Sequence, residues 1–200
     1  MGDVRISGLF VWKNVAMLGY PALESYLSIR DSCDENLICV DPTSDAETLK
    51  LVDALVDKFP DTRRVDFVWP AKTSDGSAIG IATNFAKAQA RGTHVLNVQA
   101  DEAYSPVLAE WCKTGMRDVL RDGLECIRLK ILHTEWNAQR FQGGESWDGR
   151  KDTDEWRRGG LFDGQKGGAG YNVSVKLGKN CPAVKSAHDG WQWEGCTLWG

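Results

Sequence analysis

The sequence predicts an α/β protein in which a mostly parallel, Rossmann-like central sheet carries helices on both faces. Short apolar runs alternate with segments of helical period from residue 4 to residue 133, which is typical of successive βαβ units. The first run, residues 4–12, is apolar enough to lie at the centre of a parallel sheet. Further strands are predicted at residues 37–40, 65–69, 93–98 and 124–133.

The segments between the first three strands predict two helices. The first follows residue 20 and carries Leu23, Tyr26 and Leu27 at the spacing of one apolar face. The second begins with a capping box, in which Ser44 is the N-cap and Glu47 is the third helical residue. Its predicted apolar face consists of Leu49, Val52, Leu55, Val56 and Phe59.

Two more helices flank the fourth strand. One is predicted from the helical spacing of Ile79, Ala82, Phe85 and Ala86. The other begins with Ser105 as a cap and Pro106 in the first turn, and extends to residue 120 as one helix.

Composition indicates one soluble globular domain. The 200 residues are 42% hydrophobic and 26% charged, with a net charge of −4. No apolar run reaches membrane-spanning length, and the N-terminus lacks the pattern of a signal peptide. No Cys-x-x-Cys pair occurs, so we expect reduced thiols and a cytoplasmic location, with a Cys181–Cys196 disulfide as the alternative.

The composition changes near residue 135. Residues 136–200 are rich in glycine and tryptophan, and residues 128–185 contain more basic than acidic side chains. This mixture predicts loops and short strands that cover a crevice, which is the usual location of the site for an acceptor substrate. The positive segment indicates an anionic partner, or alternatively a solvated loop of mixed charge.

The stretch from Thr93 to Glu102 is the strongest indication of a functional site. It is an apolar strand that runs directly into Asp101 and Glu102. Ligands of open α/β sheets bind beyond the carboxyl ends of the strands, and Mg²⁺ is held there by one or two carboxylates together with substrate phosphates. The sequence therefore predicts a binding site for a metal-bound diphosphate. The alternative is that Asp101 and Glu102 belong to an ordinary solvated turn.

Several motifs in order resemble those of family-2 glycosyltransferases with the GT-A (nucleotide-diphospho-sugar transferase) fold, from a viral or bacterial source. Lys13-Asn14 and the segment 41–48 are similar to the R/K-N and D-x-x-S-x-D-x-T signatures. The resemblance continues through Trp69, Asn84-Phe85-Ala86 and Ala90-Arg91-Gly92 to Gln99-Ala100-Asp101-Glu102, where many relatives carry D-A-D-E. It spans residues 5–135 and implies a single GT-A domain of residues 1–200, with a nucleotide-sugar-binding part (1–135) and an acceptor part (136–200).

The resemblance implies a nucleotide-sugar donor, with UDP as the expected nucleotide. Asp41 would accept a hydrogen bond from the base, and Asn84 would lie near the diphosphate. The other residues that the resemblance places around the donor are Phe10, Trp12, Asn14, Gln99, Ala100 and Asp101.

The resemblance also implies a divalent cation, Mn²⁺ or Mg²⁺. Asp101 would hold it against the diphosphate, Glu102 would ligate water or shape the site, and His188 would complete the ligand set. Gln99 departs from the family pattern because an amide oxygen brings no charge, so weaker metal binding is expected.

An inverting hexosyltransferase needs a general base that takes a proton from the acceptor hydroxyl. Asp163, Asp189 and Glu135 are the three candidates, and the sequence does not choose among them.

Two other functions are compatible with the sequence. A non-catalytic nucleotide-sugar-binding module would explain Gln99, whereas a nucleotidyltransferase is disfavoured because the glycine-rich loop after the first strand is absent. The acceptor would be a saccharide or glycan, or a hydroxymethylated base in DNA, the latter in the host cytoplasm if the protein is viral.

Overall fold

Within the described residues, a six-stranded sheet forms the centre of the structure. The structure is a computed structural model that describes residues 3–70, 77–121, 126–132 and 171–179. The strand order is β3-β2-β1-β4-β6-β5. The strands are β1 (Ile6–Trp12), β2 (Glu35–Val40), β3 (Thr62–Asp66), β4 (His94–Val98), β5 (Cys126–Leu132) and β6 (Tyr171–Lys179).

Strands β1 to β4 are parallel, and helices cover both faces of the sheet. The helices are α1 (Ala22–Ile29), α2 (Ala46–Lys58), α3 (Ser77–Ala88), α4 (Pro106–Lys113) and α5 (Gly115–Arg121). Ala86 of α3 packs with Leu9, Leu37 and Val95 on one face, while the other four helices contribute to the core on the opposite face. The predicted α/β fold class is therefore confirmed.

Helix α1 exists as predicted, but only Tyr26 of its predicted apolar face is buried. Leu23 and Leu27 are exposed, whereas Ala22, Ser25, Tyr26 and Ile29 are buried. The Tyr26 ring anchors the helix, because its centroid lies 5.1 Å from that of Phe10 and 5.7 Å from that of Phe59. A polar residue, Ser25, faces inward because its hydroxyl donates to the Gln99 carbonyl oxygen at 2.8 Å.

The start of α2 also differs from the prediction. The N-cap is Asp45, whose Oδ1 accepts a hydrogen bond from the Thr48 N–H at 2.9 Å. Ser44 instead accepts a hydrogen bond from the Asn14 N–H at 3.3 Å. The predicted apolar face is confirmed, since Val52 and Leu55 are buried and its other members pack against them.

Strand β3 begins and ends three residues earlier than predicted. Its residues pair with β2 from Asn36↔Thr62 to Val40↔Asp66. The strand includes Arg63 and Arg64, which a pattern based on apolar residues does not detect. An edge strand tolerates these arginines, because they reach carboxylates on neighbouring elements.

The helix predicted from residue 106 to residue 120 is two helices, α4 and α5, which are separated at Thr114. Ser105 and Pro106 start α4 as predicted, and Ser105 Oγ accepts from the Leu108 N–H at 3.3 Å. Gly115 follows this break, and any side chain there would displace the Trp111 ring, because a Cβ atom would lie 2.6 Å from the ring nitrogen.

The late strand β6 was not predicted as part of the sheet. It lies between β4 and β5 and is antiparallel to both. Its neighbour β5 was predicted as a strand, and its bounds shrink to Cys126–Leu132. In the described ranges, every helix is too short or too polar to cross a bilayer.

A buried carboxylate joins the amino ends of the parallel strands. Glu35 accepts hydrogen bonds from the Ser7 hydroxyl at 2.6 Å and the Arg91 N–H at 2.5 Å, and pairs with Arg63 at 3.1 Å. Burial acts to raise the pKa of Glu35, but these three donors together lower that pKa below its ordinary value of 4.5.

We predict that Glu35→Gln lowers the free energy of unfolding at pH 7 by about 1–3 kcal/mol, because the amide leaves buried donors unpaired. A lowered pKa means that the carboxylate stabilises the fold above its ordinary pKa and loses this effect as pH falls through the folded-state value. Urea denaturation at several pH values should therefore show that the difference in unfolding free energy between the wild type and the variant becomes smaller at acidic pH.

Glu47→Gln is the matched control, since Glu47 and Lys50 form an exposed ion pair. Its effect should stay within about 0.5 kcal/mol. An equal effect of the two substitutions would contradict a special role for Glu35.

Candidate functional site

A cavity of about 350 Å³ opens at the carboxyl ends of β1 and β4. This is the edge of the sheet at which the sequence predicted a ligand site. The walls come from the segment after β1, the residue Trp69 after β3, the first turn of α3 and the end of β4. The lining residues are Val11, Lys13, Asn14, Val15, Leu18, Tyr20, Trp69, Ile79, Asn97, Val98, Gln99, Ala100 and Asp101.

The turn after β4 presents Asp101 to the cavity. The Glu102 N–H donates to the Gln99 carbonyl oxygen at 3.2 Å, and Glu102 Oε2 accepts from the Gln99 N–H at 3.2 Å. Ser25 of α1 donates to the same Gln99 carbonyl oxygen. These contacts fix the backbone and leave the Asp101 carboxylate exposed, without a hydrogen bond to another described residue.

The segment from Lys13 to Tyr20 is held against the start of α2. Asn14 has a positive φ of 53°, a conformation that asparagine tolerates better than most residues, and its Oδ1 accepts from the Asp45 N–H at 2.9 Å. The Ala16 N–H donates to Thr48 Oγ1 at 3.0 Å. Ser44 and Thr48, which match the D-x-x-S-x-D-x-T signature, and Asp45, which stands one position before its second aspartate, thus position this wall of the cavity.

Asp41 is a fully buried carboxylate behind the same wall. Oδ1 accepts from the N–H and the hydroxyl of Thr43 at 2.9 and 2.7 Å, and Oδ2 accepts from the Trp69 N–H at 3.1 Å and Lys13 Nζ at 2.8 Å. Burial acts to raise the pKa of Asp41, but Lys13, Thr43 and the Trp69 N–H outweigh it and lower that pKa to about 2.

Lys13 and Trp69 meet at the wall of the cavity. The Lys13 ammonium lies 5.7 Å from the centroid of the Trp69 ring, within the range of a cation–π contact. About one third of the Lys13 side chain is exposed, and both residues line the cavity. Asp41 therefore positions a cation and an aromatic ring that a ligand can contact.

Asn97 is a polar residue in the middle of an otherwise apolar wall. It lies on β4 opposite Leu9 of β1 and is 1% exposed. Neither its amide oxygen nor its amide nitrogen has a hydrogen-bond partner in the part of the chain that the structure describes. The sequence contained one signal for this residue, an asparagine within the apolar run 94–98.

The structure brings together four of the residues predicted around the donor, since Asn14, Gln99, Ala100 and Asp101 all line the cavity. Asn84 lies on α3, partly buried, and does not line it.

Three further predicted residues have their side chains away from the cavity. Asp41 is buried behind the wall, and the side chains of Phe10 and Trp12 are buried in the core on the face covered by α1 and α2. Their roles toward a nucleotide stay predictions, as do those of the other donor residues. Four predicted residues, Glu135, Asp163, His188 and Asp189, lie outside the described residues.

Divalent cation ligands are sparse in the described part of the chain. Within it, no three His, Cys, Asp or Glu side chains cluster as a metal site would require. Asp101 is nevertheless exposed at the cavity, and Glu102 lies next to it. Mg²⁺ usually takes one or two carboxylates and fills its remaining positions with water and phosphate oxygens, so this donor set fits a cation that is bound together with a diphosphate.

Comparison with solved structures yields a mannosyltransferase and several structures of TarS, all at low identity. The mannosyltransferase PcManGT from Pyrobaculum calidifontis, in complex with GDP-Man and Mn²⁺, is 17% identical with a TM-score of 0.47, covering 63% of this chain and 35% of that chain. S. aureus TarS 1–349 is 15% identical with a TM-score of 0.43, covering 88% and 47%. Its complex with UDP-GlcNAc is 18% identical with a TM-score of 0.42, covering 68% and 36%.

This chain thus spans less than half the length of those proteins. No protein-family model and no curated protein matches it.

We predict that Lys13→Met lowers the free energy of unfolding at pH 7 by about 1–3 kcal/mol, because it leaves the buried Asp41 carboxylate without its cation. The pKa of Asp41 should rise from about 2 toward its ordinary value of 3.8. Because its pKa is lowered in the folded state, the Asp41 carboxylate stabilises the fold at pH values above its ordinary pKa, and this stabilisation is lost as pH falls through the folded-state pKa. Since the folded-state pKa is higher in the variant, the variant should lose stability at a higher pH than the wild type.

Urea denaturation across pH and an NMR titration of the Asp41 carboxyl carbon would measure both effects. Lys50→Met removes an equally charged but exposed side chain and is the control. An unchanged pKa of Asp41 in the Lys13 variant would contradict the pairing.

Proposed function

We propose that the protein is a glycosyltransferase of the GT-A type that binds a nucleotide-diphospho-sugar, with UDP as the favoured nucleotide, in the cavity at the ends of β1 and β4. One observation carries the proposal. The cavity combines the flat ring of Trp69, the ammonium of Lys13 and the exposed carboxylate of Asp101 at the sheet edge where α/β proteins bind ligands. The sequence resemblance supports the same ligand class.

The diphosphate is assigned to the Asp101 end of the cavity. Asp101, with Glu102 beside it and His188 from the late part of the chain, would hold Mn²⁺ or Mg²⁺, which neutralises the charge that grows on the leaving diphosphate. Gln99 supplies its backbone to the turn that aims Asp101, so its lack of charge leaves that function intact.

The nucleoside is assigned to the part of the cavity bounded by Trp69 and Tyr20. An aromatic ring supplies a flat apolar surface on which a base stacks. Asp41 remains proposed as a base-binding residue. Its two oxygens already accept four hydrogen bonds, so a direct contact with the base requires one of these donors to move.

The acceptor side is assigned to residues 136–200. Transfer with inversion requires a base for the acceptor hydroxyl, and Asp163, Asp189 and Glu135 remain the proposed candidates. A glycan is the first proposed acceptor, and a hydroxymethylated DNA base is the second because of the basic segment 128–185.

A nucleotide-sugar-binding module without catalysis is the second candidate function. Gln99, in place of an acidic residue, favours it because only Asp101 and Glu102 supply carboxylates at the described cavity edge. A protein of this kind would bind the nucleotide sugar without ever hydrolysing or transferring it.

Nucleotide binding is tested first by thermal denaturation with UDP, UDP-glucose and GDP-mannose, each with and without Mn²⁺. A nucleotide present at 100-fold excess over its dissociation constant should add about 2.7 kcal/mol to the free energy of unfolding. We predict that this stabilisation requires Mn²⁺, and the same stabilisation in the presence of a chelator would contradict the metal role.

We predict that Asp101→Asn reduces sugar transfer by at least ~100-fold and removes the effect of Mn²⁺ on UDP affinity, with the fold intact. The amide keeps the shape of the side chain but loses the charge. Steady-state kinetics and calorimetric titration of UDP with and without Mn²⁺ provide two independent measurements.

Asp57→Asn is the matched control, because Asp57 is an exposed aspartate on α2 that does not line the cavity. Near-normal transfer by the Asp101 variant, together with unchanged metal dependence, would make Asp101 an ordinary turn residue.

A further inference from the structure

The cavity contains a buried amide that no described residue satisfies. Asn97 lines the cavity, is 1% exposed, and has neither a donor for its oxygen nor an acceptor for its NH₂ group among the described residues. Leaving such a polar group buried and unpaired destabilises the fold by more than a typical hydrogen bond stabilises it, so buried amides almost always have partners.

The described neighbours of Asn97 on β1 and β4 are apolar. Its partner across the β1–β4 pairing is Leu9, and Val95, two residues earlier on the same face of β4, belongs to the apolar cluster beneath α3. Val11 and Ile79 line the same cavity. Leucine or valine would fill such a position at a lower energetic cost, and unlike Asn36 Oδ1, the other unpaired buried amide atom of the described residues, both polar atoms of Asn97 border a cavity that a ligand can enter.

We propose that Asn97 is a specificity-determining residue that hydrogen-bonds the edge of the nucleobase of the bound nucleotide. The proposal rests on the function proposed above and adds a residue that the sequence motifs do not contain.

The chemistry of the amide favours a base over the other parts of a nucleotide sugar. A primary amide presents a donor and an acceptor side by side in one plane, and the edges of the bases do the same. A base is also flat and largely apolar on its faces, which suits the Val11, Ile79 and Trp69 walls.

The phosphates and the hexose fit this position less well. Phosphates are better matched to cations, which the cavity can provide as the Lys13 ammonium and as a divalent cation held by Asp101. A hexose carries hydroxyls all around its ring and needs several polar partners, whereas Asn97 is one amide among apolar side chains.

Asn97→Leu tests the proposal, because leucine has nearly the shape of asparagine and removes both polar atoms. We expect the melting temperature to stay the same or rise, because an unpaired buried amide is lost. We also expect the affinity for UDP in the presence of Mn²⁺ to fall by about tenfold or more. Binding of inorganic pyrophosphate with Mn²⁺ should not change. A variant that is more stable and binds UDP more weakly, but binds pyrophosphate as the wild type does, is a result that a purely structural asparagine would not produce.

Asn36→Leu is the matched control. Asn36 is also a fully buried asparagine on a central strand, but its Nδ2 donates to Asp61 Oδ2 at 2.9 Å and to the Arg30 carbonyl oxygen at 3.3 Å, and it does not line the cavity. Its replacement should lower the melting temperature and leave UDP affinity unchanged. Asn97→Ala provides the affinity measurement if Asn97→Leu fails to fold.

The outcomes separate this inference from the proposed function. Equal UDP affinities of the wild type and the Asn97 variants would overturn the role of Asn97 while leaving nucleotide binding intact. A loss seen with UDP-glucose but not with UDP would assign the amide to the sugar and overturn the base contact. If the wild type binds neither UDP nor GDP, the proposed function and this inference both fail.

Discussion

The cavity depends on one buried negative charge. Asp41 directly follows β2, and its carboxylate accepts hydrogen bonds from residues that follow β1 and β3, namely Lys13 and Trp69. A lone carboxylate in this position would be strongly disfavoured, and its four donors offset that cost. Because these donors belong to different segments, the same charge that they stabilise holds three adjacent strand ends in a fixed relation and gives the cavity its shape.

The motif residues divide into those that hold the cavity and those that face it. Ser44, Asp45 and Thr48 belong to the segment 41–48 that resembles a glycosyltransferase signature, yet their side chains bind the backbone of the segment after β1. Asp101 and Asn97 face the cavity instead. The segment 41–48 therefore builds a wall of the cavity, whereas Lys13 and Asp101 of other motifs, and Asn97 from outside the motifs, line the cavity itself.

The sequence predicted the elements whose signal is local. Strands β1, β2 and β4 and the apolar face of α2 follow from runs and periods of apolar residues, and Asp101 follows from its position after a strand. Strand β3 was displaced because its arginines are satisfied by distant carboxylates. The buried face of α1 depends on the packing of Tyr26 between Phe10 and Phe59. The lack of a partner for the Asn97 amide depends on the residues around it in the fold. Neither property can be predicted from a short stretch of sequence, because both arise from contacts between distant segments.

The position of β6 has a consequence for how the chain reaches its native state. The strand that leads to Asp101 is bordered on one side by residues 177–179, which are synthesised about eighty positions after it. Until they arrive, the polypeptide that has left the ribosome displays unsatisfied N–H and C=O groups along β4, and such an open border recruits strands from other molecules. The pairing of β6 with β4 is therefore a long-range contact that completes the border of the strand leading to Asp101 only late in synthesis, and contacts of such high sequence separation form slowly.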